Sequence, residues 1–444
     1  MASEANVAEP SAAAARGGEQ RAGRRRVVIV GGGFGGLAAA RELRGADVEV
    51  TVVDRVHHHL FQPLLYQVAC GGLSAGEIAS PIRAALRGHP SATVLMASAT
   101  GLDAERRQLV LEGGQRLDYD SLIVACGAHT SYFGNDQWQE VTCGLKTLAD
   151  AIELRNRIYG AFERAERTDD ETERRELMTF VVIGGGPTGV EVAGELAIVA
   201  KDTMNRDYAR IQPRDTRVIL LDAGERVVSA FSERLSRKTA KALTSLGVSV
   251  RERTRVTAID ELGVSVEVGN STDHIAARTV IWAAGVQAVP FAATVAAATG
   301  VSTDRAGRVQ IEPDLTVPGH PEISMIGDAT SLNAPDGKPL PGLATVAIQQ
   351  ARHVAKAIHA GAPSASTPFR YFDKGALAVV GRGKAVCEIR GLELSGRPAF
   401  FTYLTVHMYY LGGVPGQRIK VLIDWATTRL GKLQNQVIEG ELES

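Results

Sequence analysis

Glycines at one repeated spacing form the pattern in this sequence that most directly predicts chemistry. The pattern G-x-G-x-x-G occurs twice, at Gly31, Gly33 and Gly36 and again at Gly184, Gly186 and Gly189. In such a loop the first glycine permits a tight turn, the second lets the backbone approach a diphosphate, and the third lets the following helix pack against the preceding strand. Because amide groups at a helix N-terminus attract anions, each loop is predicted to bind one dinucleotide.

A strand, a helix and a second strand are predicted around the first loop. Residues 26–30 (RVVIV) are a β-branched run typical of a strand buried in a parallel sheet, and residues 48–53 (VEVTVV) predict the next strand. Asp54 ends that strand, where a carboxylate can accept hydrogen bonds from ribose hydroxyls. Phe34 in the loop and Arg55 after the acid are further candidates for cofactor contact.

The same order recurs around the second loop. Residues 180–183 (FVVI) and 217–221 (RVILL) predict its two strands, with a helix between them. Asp222 follows the second strand and favours NADH, since a carboxylate there would repel the 2′-phosphate of NADPH. Arg226 would weaken this preference, and that alternative stays open. The candidate binding residues of this loop are Gly184, Gly186, Pro187, Thr188 and Gly189.

Composition and charge narrow the class of protein. A chain of 444 residues predicts two or three domains, and 45% hydrophobic with 22% charged residues is typical of a globular protein. A net charge of −1 with scattered basic residues argues against a nucleic-acid partner. Residues 1–25 lack the apolar segment of a secretory signal and predict a disordered tail. Because no apolar run reaches about 18 residues, any membrane contact is expected to be peripheral.

The cysteine and histidine patterns argue against a metal site. His57, His58 and His59 follow one another in an extended segment, so their side chains alternate and cannot all face one ion. The cysteines have neither C-x-x-C nor C-x₄-C spacing, which leaves no zinc site and no redox-active pair to predict and favours a reducing compartment. These four cysteines are Cys70, Cys126, Cys143 and Cys387.

Three further segments resemble flavoprotein reductases with two dinucleotide-binding domains. Residues 121–130 (SLIVACGAHT) and 278–287 (RTVIWAAGVQ) are similar to the two connections between the domains of that family, and residues 322–328 (EISMIGD) to its late FAD motif. The resemblance implies that the first loop binds FAD and the second binds NADH. It also implies cofactor contacts at Ala125, Gly127, Ala284, Gly285, Gly327 and Asp328, the last at the ribityl chain of the flavin.

The same resemblance implies an α/β fold with two Rossmann-like dinucleotide-binding domains, the NADH domain being inserted into the FAD domain, and a C-terminal segment of helices and strands. The charged connector between the two domains is expected to be a solvated linker helix. The predicted boundaries are 26–145 and 305–365 for the FAD domain, 146–177 for the connector, 178–304 for the NADH domain and 366–444 for the C-terminal domain.

Further segments narrow the resemblance to the type II NADH:quinone oxidoreductases, single-chain respiratory dehydrogenases that pump no protons. Without paired cysteines beside the first helix, the chain cannot run the dithiol relay of disulfide reductases, so electrons must leave the flavin directly. The discriminating segments are LATVAIQQARHVAKAI (343–358), FRYFDKGALAVVG (369–381) and LTVHMYYLGG (404–413).

In that family a stretch A-Q-x-A-x-Q lines the quinone site beside the flavin. The matching residues here are Ala344, Thr345, Val346, Ala347, Ile348 and Gln349. A threonine replaces the first glutamine. Its side chain has a hydroxyl that can hydrogen-bond, but it is shorter than a glutamine amide. The resemblance implies quinone contact at Thr345, Ile348 and Gln349 and cofactor contact at Ala347. The alternative for Gln349 is a polar helix residue that hydrogen-bonds only within the protein.

Two charged residues acquire roles by the same resemblance. Glu191 matches a glutamate that positions the nicotinamide ring or relays protons, although any carboxylate in the first helical turn also stabilises the helix dipole. Lys374 matches a lysine near the pyrimidine end of the flavin, and a surface salt bridge with Asp373 is the alternative. The resemblance also places Gln62 and Leu64 against the FAD. The candidate catalytic residues are therefore Glu191, Gln349 and Lys374.

The C-terminal segments predict contact with a membrane or a second subunit. Residues 399–411 are apolar and aromatic but too short to span a bilayer. Residues 419–430 place apolar and polar side chains on opposite faces of a helix, which fits a lipid interface or packing against protein. The resemblance implies a homodimer bound peripherally on the cytoplasmic side of the cell membrane. A soluble cytoplasmic protein is the alternative.

The expected function is hydride transfer from NADH to FAD, followed by transfer of two electrons to a quinone. Two alternatives stay open. In one, the flavin reduces a redox protein, oxygen or a small electrophile, and Thr345 marks a remodelled acceptor site. In the other, the protein is a non-catalytic redox sensor or assembly subunit that binds flavin.

Overall fold

The structure is a computed structural model that describes residues 23–204, 207–334, 337–411 and 417–431. Most of the predicted N-terminal tail and the last residues of the C-terminal domain, 432–444, lie outside the described residues. Within the described residues, Arg24 pairs with Asp47 and Arg26 pairs with Asp118 and Asp120. These arginines therefore hold the start of the first strand in place.

Strands are numbered in chain order. The first are β1 (Arg25–Val30), β2 (Val48–Asp54), β3 (His58–Leu60), β4 (Ala79–Pro81), β5 (Ala92–Met96), β6 (Ala99–Asp103), β7 (Gln108–Leu111), β8 (Arg116–Asp118), β9 (Ser121–Val124), β10 (Ala128–Thr130) and β11 (Cys143–Gly144). Next come β12 (Thr179–Ile183), β13 (Arg217–Leu221), β14 (Val248–Arg251), β15 (Arg255–Asp260), β16 (Gly263–Val268), β17 (Ser271–Ala276), β18 (Thr279–Trp282) and β19 (Val286–Ala288). The last are β20 (Val309–Gln310), β21 (Thr316–Val317), β22 (His320–Met325), β23 (Thr330–Ser331), β24 (Ala376–Gly381), β25 (Lys384–Ile389) and β26 (Leu392–Ser395).

Helices are numbered in the same way. The first half of the chain contributes α1 (Phe34–Glu42), α2 (Leu65–Ala69), α3 (Ala75–Ile78), α4 (Ile82–Ala85), α5 (Leu148–Arg167), α6 (Glu171–Leu177) and α7 (Pro187–Ile198). The second half contributes α8 (Glu233–Leu246), α9 (Pro290–Thr299), α10 (Ala344–His359), α11 (Arg397–Tyr410) and α12 (Gln417–Gly431).

Two parallel sheets carry the two glycine loops. The first has six strands in the order β21-β22-β9-β1-β2-β5, in which only the β21–β22 pair is antiparallel. The second has five parallel strands in the order β11-β18-β12-β13-β14. The glycine loops follow the inner strands β1 and β12 at the carboxyl ends of their sheets, where such sheets bind ligands. The prediction of two Rossmann-like α/β units is confirmed.

Two short segments pack with one dinucleotide-binding unit although the predicted boundaries assign them to the other. β11 falls in the predicted FAD segment but pairs with β18 of the second sheet. Helix α9 falls in the predicted NADH domain but buries Phe291, Ala292 and Val295 in the core of the first sheet. The chain crosses between the units at β10 and β19, which pair with each other antiparallel. The remaining boundaries stay predictions.

The connector is helical, as predicted, but it is not a solvated linker. Helix α5 buries Leu154, Ile158 and Phe162 in a core that it shares with the second sheet and the C-terminal strands. These apolar residues recur every fourth position and form a stripe along one face. The expectation was wrong because the many charged residues on the opposite face hide this stripe in the overall composition.

The C-terminal sheet is seated directly on helix α7. Strands β24, β25 and β26 form an antiparallel sheet, and the backbone of β24 runs against α7. At the contact, a Cβ atom on Gly194 would collide with the carbonyl oxygen of Val380. Only glycine at this helix position lets the two backbones come so close. Gly194 therefore allows the C-terminal sheet to pack directly on α7, the helix that starts at the second glycine loop.

We expect Gly194→Val to destabilise the protein. The added side chain must push β24 off α7, and overpacking of this kind typically costs about 1–3 kcal/mol. Thermal unfolding followed by circular dichroism measures the loss. The control is Gly76→Ala in helix α3, where an added Cβ meets no neighbour and stability should hold or rise slightly. Equal melting temperatures for Gly194→Val and the wild type would show that β24 does not need this close approach.

Candidate active site

The first glycine loop forms an open cradle at the start of helix α1. Gly31 adopts φ +105°, and a Cβ there would collide with the carbonyl oxygen of Ala125. A Cβ on Gly36 would collide with the carbonyl oxygen of Gly31, so the third glycine lets the helix close on the strand. A Cβ on Gly33 would meet nothing within 4 Å. The loop therefore leaves free space where a diphosphate would bind, which fits FAD.

The acid after β2 braces this loop. One carboxylate oxygen of Asp54 accepts a hydrogen bond from the amide of Gly32 at 2.5 Å, and the other accepts from Val56 at 2.9 Å. Each oxygen has further lone-pair capacity, so contact with a ribose stays a proposal. The Phe34 ring packs edge-on against His59, whose centroid lies 5.1 Å away. Arg55 is exposed beside the loop.

The late FAD motif lies beside the segment that begins at Gln62. The Lys146 ammonium lies 3.6 Å from Asp328 Oδ2, and the Gln62 amide donates to the Lys146 carbonyl at 3.1 Å. The Leu64 side chain is fully buried below this surface and supports the segment from within the core. Lys146 was missed by sequence reasoning, since its spacing from the motif carries no signal.

The two connections between the units lie side by side. Because β10 and β19 pair with Ala128 opposite Ala288, the turns at Gly127 and Gly285 both reach this ribbon. Ala125 and Ala284 are partly buried in the same turns. The ribbon therefore brings together the carboxyl ends of the two sheets, as the predicted connections require.

The second loop repeats the geometry of the first. Gly184 adopts φ +111° against the backbone of Ala283, and a Cβ on Gly189 would collide with the Gly184 carbonyl. A Cβ on Gly186 would meet no atom within 4 Å. Pro187 and Thr188, the first two helical residues, are exposed to this space. The residues of this loop thus fit a second diphosphate.

Asp222 braces the second loop as Asp54 braces the first. Its carboxylate accepts hydrogen bonds from the amides of Gly185 and Gly224. The Arg226 guanidinium donates to the carbonyl of Ser229 at 3.0 Å. The acid predicted to select NADH is therefore held at the end of β13 by the loop itself.

Glu191 lies one turn into α7, between the glycine loop and the C-terminal sheet. Its carboxyl oxygen accepts a hydrogen bond from the amide of Val379 at 3.3 Å. Burial raises the pKa of Glu191 to about 8, although the hydrogen bond from Val379 opposes the shift. Burial also raises the pKa of Glu195 on the next turn, against the charge of Arg382. A carboxyl group that stays protonated at neutral pH can hold or transfer a proton.

Helix α10 carries the residues predicted to line the acceptor site. Ala347 packs between Gly35 of the first loop and Gly327 of the late motif, and Ile348 is partly exposed. The Thr345 hydroxyl lies 3.1 Å from that of Tyr371. These contacts place the start of α10 beside the first glycine loop.

Two neighbouring glutamines of α10 form hydrogen bonds with backbone groups of the protein. The Gln349 amide both donates to the carbonyl and accepts from the amide of Phe372, each at 3.0 Å. Gln350 is buried and accepts from the Gly327 amide at 2.7 Å. Gln350 thus orients the late motif, a role that the sequence did not reveal because its partner lies on another element.

Lys374 pairs with Tyr410 rather than with Asp373, the partner that the alternative prediction gave it. Its ammonium donates to the Tyr410 hydroxyl of helix α11 at 2.7 Å, and Asp373 instead accepts from the Gly375 amide. Lys374 is exposed, so contact with a bound cofactor stays a proposal.

Buried and partly buried polar groups connect the C-terminal helices with the segment after Gln62. The Tyr66 and Tyr403 hydroxyls lie 3.5 Å apart. Gln67 donates to Tyr66 at 2.9 Å and accepts from the Trp425 indole at 2.8 Å. These residues, which sequence reasoning did not single out as a group, join α11 and α12 to the first domain.

The three histidines do not converge. His59 is buried with its Nδ1 at 3.0 Å from the Gly32 carbonyl, and burial lowers its pKa. Among the residues that the structure describes, no group of His, Cys, Asp and Glu is arranged to hold a metal ion. In the same part of the chain, no helix combines the length and apolar character needed to cross a bilayer.

Comparison with known proteins identifies the family. Residues 25–351 match the pyridine nucleotide-disulphide oxidoreductase family. The chain is 42% identical over 412 residues to a type II NADH:quinone oxidoreductase of Mycobacterium tuberculosis, covering 91% of this chain and 88% of the relative. This chain belongs to the type II NADH:quinone oxidoreductases. A second enzyme of that name from the same organism is 41% identical over 91% of this chain and 87% of its own length.

Solved structures agree with this assignment at the level of the fold. The structure of NDH2 from Plasmodium falciparum in complex with NADH has a TM-score of 0.84 at 19% identity, covering 94% of this chain and 100% of that chain. A type II NADH:quinone oxidoreductase uses FAD and NADH, which confirms the two cofactors expected from the sequence. The family resemblance found in the sequence is likewise confirmed.

The raised pKa of Glu191 predicts a pH-dependent stability. The unfolded chain releases this proton near the ordinary value of 4.5, whereas the folded protein keeps it up to about 8. Between these values the native state binds more protons, so stability should fall as the pH rises and level off above about 8. The melting temperatures of the wild type and of Glu191→Gln are measured across this pH range. The difference between the two proteins at each pH measures the contribution of Glu191. A constant difference would mean that Glu191 titrates normally.

Proposed function

We propose that this chain oxidises NADH and reduces a quinone to quinol, with FAD between them and without proton pumping. The observation that carries the proposal is the pair of open glycine loops at facing sheet ends, in a chain 42% identical to a type II NADH:quinone oxidoreductase. Bound FAD supplies the acceptor for the hydride of NADH and the donor of the two electrons that quinone takes. In balance, NADH, one proton and quinone give NAD⁺ and quinol.

The residues of the chain supply binding, orientation and proton storage. The loops at Gly31–Gly36 and Gly184–Gly189 bind the two diphosphates, and the ribbon of β10 and β19 fixes their relative position. Asp54 and Asp222 hold the loops in shape and present their remaining acceptor capacity to the ribose groups. Glu191 retains a proton at neutral pH between α7 and the C-terminal sheet. The second dinucleotide is NADH, because the carboxylate of Asp222 repels a 2′-phosphate.

The quinone headgroup binds at the start of α10, beside Thr345 and Ile348. Thr345 shares its hydrogen bond with Tyr371. Gln349 uses both ends of its amide on the Phe372 backbone, so we assign it the role of holding that segment in place. Lys374 is held by Tyr410 at the edge of the same region and supplies a positive charge there.

Reoxidation by quinone tests this function. Enzyme reduced anaerobically by NADH and mixed with a short-chain quinone should recover its flavin absorbance within milliseconds to seconds in a stopped-flow instrument. Oxygen and a small redox protein serve as comparison acceptors. Faster reoxidation by either of them, with no response to quinone, would establish the alternative function, in which the flavin reduces a non-quinone acceptor. Failure to turn over with any acceptor would indicate the redox sensor.

The protein also binds a membrane surface peripherally through α11 and α12, on the cytoplasmic side of the cell membrane, as a homodimer. What supports the membrane contact is a set of exposed apolar side chains on the described parts of these helices. The set comprises Phe401, Tyr409, Ile419, Leu422 and Ile423. The other side of α11 packs mainly on the C-terminal sheet, and both helices also contact the first domain through Tyr403 and Trp425.

Ile423→Glu should weaken vesicle binding about tenfold to a hundredfold, because burial of one such side chain contributes about 1.5–3 kcal/mol. Cosedimentation with phosphatidylglycerol–phosphatidylcholine vesicles measures the binding. The matched control is Leu262→Glu, which changes a similarly exposed residue, 54% against 53%, on the hairpin of β15 and β16. Equal binding by both variants would contradict the lipid contact. Dissociation of a dimer by Ile423→Glu alone would identify this face as a subunit interface.

A further inference from the structure

One large aromatic side chain is exposed at the carboxyl edge of the second sheet. Phe133 is 68% exposed, although Tyr132, Trp138 and Trp282 around it are buried. The ring centroids of Phe133 and Trp282 are 6.2 Å apart, so most of the Phe133 ring is left uncovered. Single exposed apolar residues are common on protein surfaces, but the backbone and the position of this one are unusual.

The backbone of Phe133 adopts a conformation that large side chains avoid. Its φ is +53°, in the left-handed region, and Gly134 follows at +86°. The turn is held by its neighbours, since the Trp282 indole donates to the Ser131 carbonyl at 2.9 Å and the Ser131 amide donates to the Gly285 carbonyl at 3.3 Å. Asparagine or glycine would adopt this turn with less strain. Strain of this kind is concentrated at functional sites.

The ring of Phe133 lies in front of Gly285. A Cβ on Gly285 would collide with this ring, so the glycine leaves room for it. Gly285 follows β18, which neighbours β12 on the side opposite to β13. A dinucleotide lies across such a sheet with its adenosine at the acid after the second strand. Asp222 therefore marks the adenosine half, and Gly285 with Phe133 borders the nicotinamide half.

We propose that Phe133 is a further NADH-binding residue, whose ring packs against the nicotinamide half of the bound dinucleotide and shields it from water. The inference rests on the proposed function and adds to it a contact between Phe133 and the solvent-facing side of the bound NADH. A planar ring presents a large face to the ribose and nicotinamide without a polar group that needs a partner. Shielding at this place keeps water from the atoms between which the hydride moves.

The test compares Phe133→Asn with Phe133→Tyr in the FAD-loaded enzyme. Asparagine suits the left-handed turn but removes the ring, whereas tyrosine keeps the ring. Flavin reduction by NADH is followed anaerobically without quinone over a range of NADH concentrations. Phe133→Asn should raise the half-saturating NADH concentration about three- to tenfold, the range that one aromatic contact contributes. Phe133→Tyr should stay within about twofold of the wild type, since it keeps the same ring contact.

Stability and quinone kinetics separate binding from a structural role. The melting temperature of Phe133→Asn should equal or exceed that of the wild type, because strain is removed, and its KM for quinone should not change. A lowered melting temperature together with loss of FAD would overturn the proposal in favour of a structural role. Wild-type NADH dependence in Phe133→Asn would also overturn it. Failure of the wild type itself to be reduced by NADH would instead overturn the proposed function.

Discussion

The approach of the β24 backbone to helix α7 is the contact on which the other parts of this molecule depend. It occurs at Gly194, where no side chain separates the helix from Val380. Because the strand lies so close, the Val379 amide reaches Glu191 one turn earlier, and burial beside the strand keeps that carboxyl protonated at neutral pH. The same helix begins at the second glycine loop. One rigid element thus sets the positions of the second glycine loop, the protonated carboxyl group of Glu191 and the C-terminal sheet relative to one another.

The two dinucleotide units could be predicted because the signals that specify them are local. A glycine loop requires its strand before it and its helix after it, and the strand predicted at 217–221 coincides with β13. Signals spread over a helix were less informative. In α5 the charges of one face outweighed the apolar stripe of Leu154, Ile158 and Phe162, so the helix was expected in solvent although it forms part of a core. Short elements such as β11 carried no signal for the sheet that they join.

Residue types at the site could be predicted, but their partners could not. Gln349 was expected to face a ligand, whereas both ends of its amide bind Phe372, which lies on a segment beyond the end of α10. Gln350, its neighbour, orients the amide of Gly327, and Lys146 approaches Asp328 from another unit. Each pairing joins residues far apart in the chain, so only the folded geometry reveals it. Sequence therefore indicates which chemistry is present, and tertiary structure decides which groups remain free to perform it.

Thr345 stands where the family motif has a glutamine, and Tyr371 supplies a second polar group beside it. A glutamine amide extends several bonds from the helix, whereas a threonine hydroxyl stays close to it. Here the Thr345 hydroxyl contacts that of Tyr371, and a phenol on a rigid ring can both donate and accept. Because the backbone of the adjoining residue is clamped by Gln349, the ring of Tyr371 is held against α10. In the proposed quinone site, two residues from separate segments thus present hydroxyls at the position where the family motif has a glutamine amide, so hydrogen-bonding groups are present there without that glutamine.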